Sequence, residues 1–349
     1  MAVLKSALLA IIFSGCSSVG YLAEQGVEQW RLFNRARPAD EVLLSPLTPP
    51  RVKEAIRSVR EAKRFAVEEL GLRATSSYET WVDLGREFVV WTVAGSDSLL
   101  LEERTWRFPI VGRVPYLGFF RREKAETEAT RLREEEGLDS FVRGVPAFSS
   151  LGWFPDPIYS SFLRGSERDL VELVIHESLH STVWVGDSVD FNEKLAHFVG
   201  KEGSIRFVAS RRGGGEPLKR ARTEVETQEK FARFVQEMGA RYRREVEPLA
   251  RAGRRAEALE RKRSFYESLP AEWERRGGGA LKSDFGRWNN AALLAYEKYF
   301  SDAGVLEGLL KKCGGDLARF VRLIVREREK GGVFGEAPER RLAELGECG

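Results

Sequence analysis

The chain has 349 residues, 42% hydrophobic and 31% charged, enough apolar material for a sizeable core, which excludes disorder throughout. Its 56 basic and 53 acidic residues leave a formal charge of +3, which gives no general case for nucleic-acid binding. No internal run reaches the roughly 18 apolar residues of a membrane helix, and three cysteines are too few for a disulfide-dense scaffold or a zinc-ribbon array.

The start of the chain reads as a targeting segment. Lys5 supplies a basic n-region, Ala7 to Phe13 a short apolar stretch, and Ser14-Gly15 two small residues before Cys16. This resembles a bacterial lipoprotein signal, with residues 1–15 removed and 16–349 left as one mature domain. The resemblance implies acylation of Cys16, several acyl chains giving a stable membrane anchor. Ser17 after the cysteine implies the outer membrane, facing the periplasm. In that oxidising compartment Cys313 and Cys348 either bridge or remain two free thiols, and spacing alone does not decide.

Along the mature chain, Tyr21 to Arg35 reads as a helix. Ser45 to Pro50 breaks it, and Thr48 is placed to cap a second helix, Arg51 to Leu70, that stops at Gly71. Phe88 to Val93, Thr105 to Ile110 and Tyr116 to Phe120 are β-rich runs among Gly and Pro. Arg121 to Glu136 is a charged helix, and Phe141 to Phe148 a further strand or hairpin. Ser166 to Trp184 and Asn192 to Arg211 follow as helices (166–211). Gly213 to Gly215 is a hinge into a charged helical hairpin (216–268), and Gly277 to Gly279 a hinge into closing helices, Phe285 to Phe300 and Asp316 to Lys330 (285–330). Interleaved Lys, Arg and Glu mark the hairpin as a solvated face rather than a nucleic-acid arm. The expected fold is α+β, helix-rich, with a small sheet inserted among helices.

The chemistry is concentrated in His176-Glu177-Ser178-Leu179-His180. Histidines at i and i+4 project from one face of a helix and can share one zinc ion. Glu177 lies beside them, placed to act as a base on water. Val183 and Gly186 stand where the metzincin pattern needs Gly and His, which excludes that class. A third ligand comes from Asn192-Glu193-Lys194-Leu195-Ala196-His197: Asn192 can cap a helix with Glu193 in its first turn. Glu193 completes a set that leaves a coordination position open. His197, four residues on and on the same face, is the rival, as a ligand or as an outer partner.

These residues resemble the gluzincin metallopeptidases, whose third ligand is a Glu in an N-E-x-x-A helix. The likeness is nearer to a bacterial family of predicted aminopeptidases often exported as lipoproteins, through Val142 to Phe154, Phe191-Asn-Glu with Phe198-Val-Gly, Trp288-Asn-Asn-Ala291 and Gly314 to Arg319. It implies a zincin-like fold, one Zn2+ on His176, His180 and Glu193, a peptide substrate, and Glu177 as catalytic base. It further implies a tyrosine, Tyr296 or Tyr299, as donor to the carbonyl oxygen, and an edge strand, Phe141 to Phe148, that pairs with extended substrate. Arg143 and Arg287 could bind a peptide carboxylate. The function expected is a zinc-dependent aminopeptidase. Its alternatives are a zinc endopeptidase and a non-catalytic zinc-binding lipoprotein, and the presence of Glu177 weighs against the last.

Overall fold

The structure, a computed structural model, describes residues 20–21, 24–108, 112–146, 155–186, 188–278, 284–299, 303–331, 337–346 and 348. The segment read as a signal, Cys16 and part of the Val142 to Phe154 block lie outside them. Among the described residues no helix is long and apolar enough to cross a membrane.

An N-terminal helix, α1 (24–33), leads into β1 (Arg37–Pro38), α2 (Ala39–Leu44) and α3 (Pro50–Glu68). Pro49, rather than Thr48, is the N-cap of α3, and no side chain caps it. Proline at the first position removes one of the amides that a cap would satisfy. Instead of one small sheet there are three among the described residues. β1 and β9 (Ile158–Tyr159) flank β2 (Thr80–Val82); β5 (Trp106–Phe108) and β6 (Gly112–Val114) form a hairpin. In the third, β3 (Val90–Ser96) pairs antiparallel with β4 (Glu103–Arg104), β7 (Tyr116–Phe119) and β8 (Asp139–Val145). One face of this sheet packs on α4 (Arg122–Glu134) through Val93, Leu117, Phe119, Ala129 and Leu132.

The remainder is helical. α5 (Glu167–Thr182) and α6 (Val189–Arg211) share the largest core with α3, α11 (Gly304–Lys312) and α12 (Leu317–Glu329). The charged hairpin is α7 (Glu216–Glu245), the short α8 (Glu247–Arg251) and α9 (Arg255–Arg275), which runs past Ser268. It builds a second core, rich in aromatic rings, with α10 (Asn290–Tyr299). A last helix, α13 (Pro338–Ala343), precedes Cys348, which pairs with Cys313 across a Cα separation of 4.8 Å. Neither α11 nor α13 was legible in the sequence; both are short and sit beside glycines.

Two features of sequence set the α5–α6 contact. Ser166 and Asp169 form a capping box that fixes where α5 begins. On α6, Gly200 and Gly203 face α5, and a Cβ at Gly200 would stand 2.9 Å from the Glu172 carbonyl oxygen and 3.4 Å from His176 Cβ. The helices therefore touch almost backbone to backbone beside the first histidine. Gly200→Ala should lower stability even though alanine favours a helix interior by about 1 kcal/mol, because a backbone oxygen cannot swing aside and overpacking costs about 1–3 kcal/mol. A urea melt checks this; a raised midpoint would contradict the close approach.

Candidate metal centre

The capped start of α5 puts Leu170, Val171, Val174, Ile175 and Leu179 into the core. That leaves His176, Glu177 and His180 along the edge of the buried face. α6 begins at Val189, three residues before Asn192, so Asn192 does not cap it. Its buried amide instead clamps the connecting loop: Nδ2 donates to the Val185 carbonyl at 2.7 Å, and Oδ1 accepts from the Val185 amide at 2.9 Å. Two backbone bonds to one residue satisfy the side chain better than a single cap bond would. The clamp fixes how α6 leaves the loop, and hence where Glu193 points.

The result is a convergence of three side chains. His176 Nε2 lies 3.4 Å from Glu193 Oε2, His180 Nε2 lies 3.4 Å from Glu193 Oε1, and the two imidazole nitrogens are 3.1 Å apart. One ligand atom from each residue falls within 4.8 Å of the others, so His176, His180 and Glu193 form a group that could hold a metal ion. His180 is buried, His176 nearly so, and the Glu193 side chain is 45% exposed, which leaves one side of the group open. Burial would raise the Glu193 carboxyl, but bonds from His176 and His180 outweigh it and hold the group well below the usual carboxylate range. Burial likewise depresses His176, and Glu193 with Glu177 and Glu172 raises it above its ordinary value. The donor set therefore favours a positive charge between these side chains. Glu177 Oε2 is buried and has no hydrogen-bond partner among the described residues, an arrangement costly unless the oxygen meets water or substrate.

Tyr296 lies in the second core. Its ring stacks on Trp288 at 4.7 Å, meets Phe231 and Phe141 at 5.8 Å, and has the Arg143 guanidinium 5.7 Å from its centre. The Tyr299 side chain lies outside the described residues, and Arg287 is exposed on a short turn. β8 covers Phe141 but ends at Val145. It pairs with β3, and among the described residues no strand lies along its other side. The outer edge of β7, by contrast, is taken: the Tyr21 hydroxyl bonds both the amide and the carbonyl of Gly118.

Sequence reasoning missed three further residues. Tyr116, 43% exposed, opens β7, and its phenol is pushed up to about 12 by desolvation and by the charges of Glu193, Glu177 and Asp190. No sequence spacing links a strand residue sixty positions upstream to α5. Tyr78 is buried, with a left-handed backbone (φ 69°) unusual for a bulky residue, and its phenol is pushed well up by burial and by Glu177 and Asp156. Glu172 is the third, and here a signal existed: it stands one turn before His176 on the same helix face. Its carboxylate lies 3.1 Å from His197 Nδ1, so His197 is paired away from the three-residue group.

The elements and the site together define a helix-rich α+β protein that carries a two-histidine, one-carboxylate group able to hold a metal ion. A family described as "Putative aminopeptidase" matches residues 20–330, a span that includes both helices carrying the three-residue group, and the chain belongs to that family. The family's description supports a peptidase-like function. No curated protein and no solved structure matches the chain.

Burial pushes the Glu172 carboxyl up, but His197 and Arg168 bring it down from 4.5 to about 2. A carboxyl depressed in the folded state contributes stability that is full above its unfolded pKa and is lost as pH falls through the folded one. The stability gained on ionising Glu172 should thus differ by roughly 3 kcal/mol between neutral pH and about pH 2, falling away between about pH 4.5 and 2. Glu172→Gln should flatten the acid limb of a stability–pH curve over that window. An unchanged slope would show that Glu172 is not held ionised by its partners.

Proposed function

We propose that this protein is a zinc-dependent peptide hydrolase, an aminopeptidase of zincin-like build, with the ion held by His176, His180 and Glu193. The observation that carries the reading is the convergence of those three donors next to Glu177, one of whose oxygens is buried with no partner among the described residues. Two imidazoles and one carboxylate suit Zn2+ and leave a fourth position for solvent or substrate. When bound, such an ion polarises a carbonyl and acidifies water.

The protein's own residues supply the rest. Glu177 Oε2 accepts a proton from the attacking water and passes it to the leaving amine. A hydrogen-bond donor must meet the negative charge that develops on the carbonyl oxygen. Tyr116 is favoured over Tyr296 as that donor, because the charges of Glu177 and Glu193 reach its phenol, whereas Tyr296 is stacked in the aromatic core. The side of β8 along which no strand lies among the described residues is the place for an extended peptide to add, beyond Ser140, whose carbonyl accepts from Asn289. The family description supports aminopeptidase over endopeptidase action. We further propose, from the signal-like start of the chain, that Cys16 is acylated and tethers the protein to the bacterial envelope.

Purified protein should carry about one zinc per chain, and His176→Ala should lose it. Glu177→Gln should keep zinc while hydrolysis falls about 10²–10⁴-fold; hydrolysis at the wild-type rate would mean the activity arises elsewhere. Tyr116→Phe should also keep zinc and lower kcat about 10²–10³-fold, with Tyr296→Phe near wild type, and the reverse order would restore Tyr296 as the donor. Acetylating the substrate amine should abolish cleavage by an aminopeptidase and spare that by an endopeptidase. Labelling with a radioactive fatty acid should depend on Cys16, and an unlabelled wild-type chain would remove the anchor without touching the site.

A further inference from the structure

Behind the three donors lies a second set of polar side chains, gathered around the buried Glu172 carboxylate. Glu172 is four residues before His176 on α5, and His197 is four residues after Glu193 on α6. His176 meets Glu193, and Glu172 meets His197, so the two helices run antiparallel and the second pair repeats the first about one turn away, about 6 Å along the axis. The two carboxylate oxygens of Glu172 have different partners. Oε2 is bound by Arg168 of its own helix, and Oε1 by His197 Nδ1 at 3.1 Å. Arg168 is 3% exposed and Glu172 9%. Arg168 also pairs with Asp169 and, through Nε at 3.1 Å, with Glu224 of α7; Glu224 accepts from Ser166 as well, at 2.9 Å. Among the described residues the His197 arm is the part of this network that crosses from α5 to α6.

Buried ion pairs are poor devices for stability, since desolvation consumes most of their attraction, and their best-attested use is to fix one arrangement among several. The arrangement at stake here is the rotation of α6 about its own axis. Glu193 and His197 share one face of α6, so a rotation that frees His197 from Glu172 also swings the Glu193 carboxylate away from His176 and His180. Gly200 shows how little slack exists: a Cβ there would meet Glu172 Cγ at 3.3 Å and His176 Cβ at 3.4 Å, so the Glu172 and His176 side chains flank the same point of α6.

We propose that His197 is a positioning residue, locked through Nδ1 to the buried Glu172 carboxylate, and that this bond sets the orientation of α6 that brings Glu193 to the metal-binding histidines. The inference rests on the metal-centre reading above. It assigns His197 neither to the ion nor to substrate, and it makes a prediction about which nitrogen matters.

An asparagine places an N–H donor near where Nδ1 stands, and a glutamine places one nearer to Nε2. The test measures Zn2+ affinity of the purified full-length protein by competition with a chromogenic chelator, alongside the thermal midpoint of the metal-free protein. His197→Asn should keep affinity within a few-fold of wild type. His197→Gln and His197→Ala should lose about 10–100-fold, the usual effect of removing an outer partner of a metal site. Rescue by Asn but not Gln supports the proposal even if the alanine variant does not fold. Rescue by Gln but not Asn, or wild-type affinity in His197→Ala or His197→Gln, overturns it, the first by placing the function on Nε2. Lowered thermal midpoints with unchanged affinity in every variant would make the bond merely structural and likewise overturn it. A wild-type chain with no Zn2+ affinity overturns this proposal and the metal-centre reading together, whereas the other failures leave that reading standing.

Discussion

The contact between α5 and α6 is the constraint on which the rest of the site depends. The two histidines come from one helix and the carboxylate from another, so helix geometry alone brings together only two of the three donors. The third arrives because a short loop is clamped by Asn192 on Val185 and because Gly200 and Gly203 let α6 lie almost against the backbone of α5. The buried core of α3, α11 and α12 supports this pair from outside. One polar clamp, two glycines and an apolar core together hold the three donors in a fixed relation. The site is built on rigid elements rather than on a loop, as a preorganised centre requires.

Charge is handled in two layers. In the outer layer Glu193 remains ionised well below the usual range because the imidazoles face it, and its exposed side leaves room for a reacting group. In the inner layer the Glu172 carboxylate is almost wholly buried, with one oxygen on Arg168 and the other on His197. The two layers lie one turn apart along the same helix interface, so the α6 orientation that satisfies one also satisfies the other. Glu177 stands apart from both: one of its oxygens has no partner among the described residues, an arrangement with a cost and therefore one that points to a use.

Much of this was legible from residue spacing. Histidines four apart on an amphipathic run fix their own relation, and the helix read from Ser166 to Trp184 falls within two residues of α5 at either end. The convergence of Glu193 on the histidines was expected from its place near the start of the next helix, but the device differs from the expected one: Asn192 clamps the loop instead of capping the helix. What sequence could not show is any relation carried by tertiary packing. Tyr116 sits on a strand far upstream, with nothing in its neighbourhood to tie it to α5. The pairing of His197 with Glu172 needs the antiparallel docking of two helices before it can be seen. The division of the β-runs into three small sheets depends on long-range pairings, such as β2 with β9, that short strands do not encode locally. The helix-rich α+β class survived because it rests on periodicity summed over long windows, which is the most robust signal in a single sequence.

The central claim is that two imidazoles and the Glu193 carboxylate hold one metal ion in this protein. X-ray absorption at the zinc edge on the purified, zinc-loaded chain tests it most directly. The account predicts a first shell with two imidazole nitrogens at about 2.0–2.1 Å and carboxylate and solvent oxygens at about 2.0–2.2 Å, with one imidazole signature lost in His180→Ala and none in His197→Ala. A shell with three imidazoles, or one that Glu193→Gln leaves unchanged, would contradict it.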